Sequence, residues 1–187
     1  MKINLKNLKI FLVGHNGMVG SSLYSFFKKQ NFQKIITINR KKLNLCDIKK
    51  VDKFIKKSKP DIIINCAGRV GGIWANSHYP VEFLDENILI QMNLIKTAYK
   101  YKIKHVINLG SSCIYPKKSK QPIKEEYLLS GPLEKTNEAY AIAKIVGLKA
   151  CEYFNNQYGT SYLTVMPCNL FGPNDNFDLK NSHFIPA

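Results

Sequence analysis

No apolar run in this sequence approaches the ~20 residues that cross a bilayer as a helix. The basic start (Lys2, Lys6, Lys9) leads only into Ile10-Phe-Leu-Val13, too short for a signal-peptide core. A soluble, cytoplasmic protein is the expectation. Cysteine is sparse and unpatterned. The five cysteines (46, 66, 113, 151 and 168) are odd in number and contain no Cys-x-x-Cys pair, which argues against a disulfide framework. Cys46, Cys66 and Cys151 sit in apolar or helical contexts that suit small buried side chains, and no metal site is expected. Arginine is scarcer still: of 28 basic residues only Arg40 and Arg69 are arginines. The formal charge of +15 invites a nucleic-acid reading. Base readers, however, favour arginine forks, and no helix-turn-helix, zinc-finger or RNA-binding signature is present. Lysine doublets spread along the chain fit a solvated surface better, with a functional share of the charge near Arg40. Internal repeats and low-complexity linkers are absent too, and 187 residues with 45% apolar content suffice for one domain with a real core.

What is present alternates. Lys9–Val13 is a short apolar run, followed by Gly14-His-Asn-Gly-Met-Val-Gly20 and an amphipathic segment to about Lys29. Strand, glycine turn and helix is the context of a dinucleotide fingerprint, here spaced Gly-x-x-Gly-x-x-Gly. Glycines allow a tight turn and close backbone approach, and the helix N-terminus stabilises a pyrophosphate. Ile35–Ile38 reads as a second strand ending at Asn39-Arg40-Lys41-Lys42. NAD-preferring sites carry an acidic residue there for the ribose hydroxyls. A cationic fork at Arg40 suits a 2′-phosphate instead, so NADP is favoured over NAD. Asp47 begins the next helix, as its cap or as an adenine neighbour.

Ile62–Ala67 reads as a third strand buried on both faces, followed by a glycine-bearing loop from Gly68 to Tyr79. Pro80 opens a helix to about Lys100. Val106–Leu109 is a fourth strand leading into Gly110-Ser-Ser-Cys-Ile-Tyr-Pro116. Thr136 or Asn137 caps a helix that runs to near Tyr158 and stops at Gly159. Tyr162–Met166 is a fifth strand. The expected architecture is α/β, a doubly wound parallel sheet of the NAD(P)-binding Rossmann type over residues 1–187, with ligands beyond the carboxyl ends of the strands.

Within the last helix, Tyr140 and Lys144 stand four apart on one face. Acid–base work by a phenol at neutral pH requires lowering its pKa by ~3 units, about 4 kcal/mol. An ammonium ~4 Å away at an effective dielectric of ~20 supplies that much.

The Gly14 turn, Ser111-Ser112 and Tyr140-x-x-x-Lys144 together resemble the extended short-chain dehydrogenase/reductase superfamily. Val70-Gly-Gly-Ile-Trp-Ala-Asn76, Leu109–Pro116, Thr136–Lys144 and Pro173-Asn-Asp-Asn-Phe…Asn181-Ser-His183-Phe-Ile-Pro186 are similar to one branch of it. That branch converts GDP-4-keto-6-deoxy-D-mannose to GDP-L-fucose by 3,5-epimerisation and NADPH-dependent 4-reduction. By position, the resemblance makes Tyr140 the proton donor to the alkoxide and Lys144 its pKa-lowering partner, which also holds the nicotinamide ribose. Ser111 bonds the reacting carbonyl, and Cys113 and His183 form the epimerising acid/base pair. Read alone, Cys113 is better taken as a buried thiol and His183 as a surface imidazole. Cofactor contacts implied by the resemblance are Gly14, Asn16, Gly17, Met18, Val19, Gly20, Arg40, Leu109, Gly110, Ser111, Ser112, Tyr140, Lys144, Pro167, Asn169, Leu170 and His183. Ser112 and Asn169 could instead serve the loop and the turn.

Asn16 stands where the family usually has an arginine, and Arg69 where lysine is common. The family continues well past Ala187, into most of the lobe that binds the GDP-sugar, so that lobe is expected to be largely missing. The resemblance also implies a homodimer built on the long helices. The alternatives are another nucleotide-sugar epimerase or dehydratase acting on UDP- or dTDP-sugars, and an NADP-binding remnant without catalysis.

Overall fold

In a computed structural model, which describes residues 5–175 and residue 177, five parallel strands form one sheet in the order β2-β1-β3-β4-β5. They are β1 (Lys9–Val13), β2 (Lys34–Ile36), β3 (Ile62–Asn65), β4 (His105–Leu109) and β5 (Ser161–Val165). The helices are α1 (Met18–Lys29), α2 (Ile48–Ser58), α3 (Ile73–His78), α4 (Pro80–Lys100) and α5 (Glu138–Tyr158). β1 and β3 lie at the centre, with Phe11 beside Ile63 and Leu12 beside Ile64. Their near-continuous apolar sequences reflect burial on both faces. On one face Phe11, Val13 and Ile63 pack with Val51 and Ile55 of α2, Leu94 of α4 and Cys151 of α5. On the other, Ile10, Leu12 and Ile64 pack with Leu23, Tyr24 and Phe27 of α1. The same face of β5 leaves Leu163 and Val165 exposed.

The chain enters at β1, winds through α1 to β2 at one edge, then returns to β3 on the other side of β1. The direction of winding therefore reverses between β1 and β3, and a crevice opens above their carboxyl ends.

Local chemistry sets most element ends. Asp47 caps α2, its carboxylate accepting from the Lys49 and Lys50 amides at 3.0 and 3.1 Å. Of the two roles open to Asp47, the structure gives it this one. Pro80 occupies the first position of α4, where its missing N–H costs nothing. Gly159 ends α5 at φ +64°, a conformation that glycine adopts without a Cβ penalty.

Three expectations need correction. The loop Gly68–Tyr79 contains a helix, α3. The Asn76 amide closes its start on the Gly71 and Gly72 carbonyls at 2.7 and 3.1 Å, and His78 stacks on Trp74 one turn earlier. β2 is shorter than Ile35–Ile38, because this edge strand pairs only with β1 and only from Lys34 to Ile36. Asn137 does hold the cap position of α5, but its side chain makes no capping bond. The Thr136 hydroxyl bonds Glu134 at 3.4 Å instead.

Candidate functional site

The crevice above β1 and β3 is a cleft of about 470 Å³, within the range of small-molecule sites. Its floor is the glycine turn. Gly14 sits at φ +78°, and a Cβ there would stand 2.7 Å from the Ala67 amide nitrogen. A Cβ on Gly20 would overlap the Gly14 carbonyl, so the first and third glycines let α1 press onto β1 and β3. Gly17 differs. Among the described residues a Cβ there meets nothing nearer than 3.6 Å, and the residue lines the cleft at the start of α1. No side chain caps α1, and its first turn holds no acidic residue. Its amides and positive dipole end are thus available to an anion. This cradle fits a dinucleotide pyrophosphate.

Asn16 ties the turn to the end of β2, donating to the Asn39 side chain at 2.8 Å. Beyond it Arg40 reaches Glu86 of α4 at 3.0 Å, and Arg69 reaches the other oxygen of the same carboxylate at 2.7 Å. Leu43, Leu45, Cys46 and Ile90 give this end of the cleft an apolar wall.

At the opposite end stand Leu109, Gly110, Ser111, Tyr140, Lys144, Pro167, Asn169 and Leu170. Tyr140 is half-buried, edge-on to Phe83 with ring centroids 6.3 Å apart. Lys144 is 3% exposed, and its ammonium donates to the Leu109 carbonyl at 2.7 Å. The backbone around this pair is held by a buried chain of amides. Asn65 donates to Asn108 at 2.9 Å, Asn108 to Gln91 at 2.9 Å, and Gln91 to the Ala143 carbonyl at 3.0 Å. Strands β3 and β4 are thereby fastened through α4 to the residue before Lys144.

The electrostatics depart from the expected lysine-activated phenol. Burial pushes the Tyr140 hydroxyl well above its ordinary value, the Cys113 sulfur adds to the rise, and only a hydrogen bond with Ser111 opposes it. Lys144 is pushed down to about 8, chiefly by burial. Its ammonium faces the Leu109 carbonyl and lies 5.5 Å from the centre of the Tyr140 ring. Desolvation of a phenolate thus outweighs the ammonium here. At neutral pH the arrangement is a protonated phenol beside a lysine still largely cationic.

Cys113 follows Ser111, whose hydroxyl accepts from the Cys113 amide at 3.4 Å. Burial raises its thiol, with Ser111 and Lys144 pulling the other way. Cys46 and Cys66 are only half-buried, unlike Cys151, and both line the cleft. Burial raises the Cys66 thiol to about 11.

Of the residues named from sequence, the cleft brings together Gly14, Asn16, Gly17, Met18, Val19, Arg40 and the eight at the Tyr140 end. Gly20, Ser112 and Cys113 do not line it: Gly20 supports the turn from behind, and Ser112 and Cys113 belong to a single helical turn that ends at Ile114. His183 lies outside the described residues. Sequence reasoning expected the glycines of the loop after β3 to admit a ligand, but it missed Glu86 and Ala67. The latter was signalled by its position directly after β3. Among the described residues no helix is long and apolar enough to cross a membrane.

Residues 10–187 match the NAD dependent epimerase/dehydratase family. The GDP-L-fucose synthase of Sinorhizobium fredii is 45% identical over 183 residues, covering 98% of this chain and 58% of the relative. That of Escherichia coli is 46% identical over 179 residues, covering 96% and 56%. A GDP-D-glycero-L-gluco-heptose synthase from Campylobacter jejuni, solved in the presence of NADPH, superposes with a TM-score of 0.93 at 35% identity. It covers all of this chain and 54% of that one. The chain thus spans little more than half the length of the relatives it matches.

Proposed function

Because the chain belongs to the NAD dependent epimerase/dehydratase family, we propose that it serves the NADPH-dependent epimerisation and reduction of GDP-4-keto-6-deoxy-D-mannose to GDP-L-fucose. The observation that carries this reading is one cleft with the glycine turn at its floor, Arg40 at one end and Ser111, Tyr140 and Lys144 at the other. Residues 1–187 supply the NADP-binding part of the longer relatives.

Gly14, Gly17 and the first turn of α1 hold the pyrophosphate, and Arg40 the 2′-phosphate. NADPH, when bound there, would supply the hydride for the 4-keto carbon. Ser111 donates to the carbonyl oxygen and stabilises the charge that grows there. Tyr140, kept protonated by burial, then gives its proton to that oxygen. Lys144 supplies positive charge beside the ring and a donor toward the ribose. The 4-keto group acidifies the hydrogens at carbons 3 and 5. Cys113, resting as a thiol, holds one proton of the exchange and His183 the partner position.

The test is nicotinamide-fluorescence titration with NADPH, followed by loss of NADPH absorbance on adding the GDP-keto-sugar. Tyr140→Phe lowers turnover by about 10²–10⁴ without weakening NADPH binding, as expected for a general acid. Since Lys144 loses its charge near pH 8, turnover falls above that pH. A protein that binds no NADPH, or a Tyr140→Phe variant as active as the parent, removes the proposal. The partner is a GDP-sugar. Two copies pair through the outer faces of α4 and α5, where Tyr99 and Tyr158 stack with centroids 4.3 Å apart while both remain exposed. Light scattering that gives a monomeric mass at micromolar concentration excludes this pairing.

A further inference from the structure

The geometry points to Glu86 as the residue that sets how strongly this cleft prefers a 2′-phosphorylated dinucleotide, by competing with that phosphate for Arg40 and Arg69. The inference rests on the dinucleotide reading of the cleft and goes beyond it by naming a second cation and an anion that opposes the ligand.

The two guanidiniums belong to distant segments, the end of β2 and the loop after β3. They nevertheless converge on one carboxylate, Arg40 on Oε2 at 3.0 Å and Arg69 on Oε1 at 2.7 Å. All three side chains line the cleft. A pair of forks gathered on two oxygens also suits a phosphate, which offers three oxygens and up to two negative charges.

Arg69 is the fixed member. Asn87 accepts from its backbone amide at 3.1 Å and donates to its carbonyl at 3.0 Å. Its guanidinium lies 5.3 Å from the centre of Phe83 and 5.8 Å from that of Tyr79. Arg40 is the free-standing member, its side chain 80% exposed. Because Asn16 is neutral and bonded to Asn39, Arg69 is the cation that joins Arg40 in facing the phosphate.

Glu86 lowers the charge of this cluster from +2 to +1. A dianion entering between the guanidiniums must share them with a carboxylate or displace it. A ligand carrying only ribose hydroxyls there meets no such opposition, because a carboxylate accepts their hydrogen bonds. NAD-preferring sites place an acid at the end of β2 for that purpose, and here α4 delivers one to the same spot. Glu86 therefore weakens NADPH binding and spares NADH.

The experiment measures dissociation constants for NADPH and NADH by nicotinamide fluorescence, with 2′-AMP and 5′-AMP as competing probes. It compares the parent protein with Glu86→Gln, Arg69→Leu and the double variant. Removing a unit charge ~5 Å from a phosphate dianion in a cleft open to water, at an effective dielectric of ~80, is a change on the order of tenfold. Glu86→Gln is expected to tighten NADPH and 2′-AMP by about that factor, to change NADH and 5′-AMP less than twofold, and to steepen the salt dependence of NADPH binding. Arg69→Leu weakens NADPH about tenfold and NADH little, and in the double variant the gain from Glu86→Gln shrinks. An unchanged NADPH/NADH ratio in Glu86→Gln, or weaker NADPH binding, overturns the inference while leaving the dinucleotide reading intact. A parent protein that binds neither dinucleotide overturns both.

Discussion

A lysine at 3% exposure with its ammonium on a backbone carbonyl costs stability, a cost that the proposed chemistry at Tyr140 accounts for. The gap between 10.5 and about 8 corresponds to roughly 3 kcal/mol. The sign follows from proton counts. Between pH 8 and 10.5 the unfolded chain holds the proton that the folded chain has lost, so stability rises with pH through that window. At pH 7 the whole cost is present. Lys144→Met removes it but leaves the Leu109 carbonyl without its donor, a loss of about 1–2 kcal/mol. The variant is therefore expected to be more stable than the parent by about 1–2 kcal/mol at pH 7 and less stable near pH 10, with turnover reduced at least a hundredfold. Urea midpoints at the two pH values decide it, and a stability difference independent of pH refutes the assignment. No local pattern marks this lysine as buried. Sequence spacing put it on the face of Tyr140, but its partner is a carbonyl 35 residues away, and burial, which the spacing argument leaves out, turned the expected fall of the phenol's pKa into a rise.

Between elements, the amide chain Asn65–Asn108–Gln91–Ala143 joins sheet, α4 and α5 without a charge. Gly147 makes room for it, since a Cβ there would overlap the Gln91 side-chain carbonyl. Gly147→Ala should drive Gln91 out and strand several buried amides and carbonyls, at a cost of about 2–4 kcal/mol. With Gln91→Ala already in place the same glycine change should cost little, so a double-mutant cycle by chemical denaturation should show strong coupling. Additive losses would mean that Gly147 serves backbone packing alone. Elements fixed by neighbours in sequence were legible beforehand: α4 from Pro80, α2 from Asp47, the end of α5 from Gly159, and the glycine turn from its spacing. Elements fixed through space were not. Two glycines hide the start of α3, and only the reach of Asn76 back to their carbonyls closes it. Glu86 sits mid-helix with no marker, and its partners Arg69 and Arg40 are 17 and 46 residues away.

Over the whole molecule the charge of +15 acts on folding and on ligand binding with opposite consequences. α2 carries Lys49, Lys50, Lys53, Lys56 and Lys57 among its eleven residues, all exposed. Lysines three or four apart on one helix repel by a few tenths of a kcal/mol each, and compaction brings the remaining surplus together. Screening weakens such repulsion once the Debye length falls below the spacing of the charges, from ~30 Å at 0.01 M to well under 10 Å at 0.5 M. Stability is therefore expected to rise by about 1–2 kcal/mol between those salt concentrations. The affinity for NADPH should fall over the same range, because in the proposed site its phosphates face the α1 amides, Arg40 and Arg69, and those attractions are screened as well. Urea midpoints and NADPH titrations on one salt series read both. If stability and affinity move in the same direction, the view of this surface as a self-repelling lysine shell around a separate anion site fails. If they diverge, the basic surplus and the cofactor cations are two populations of charge, and the dinucleotide is read by the second.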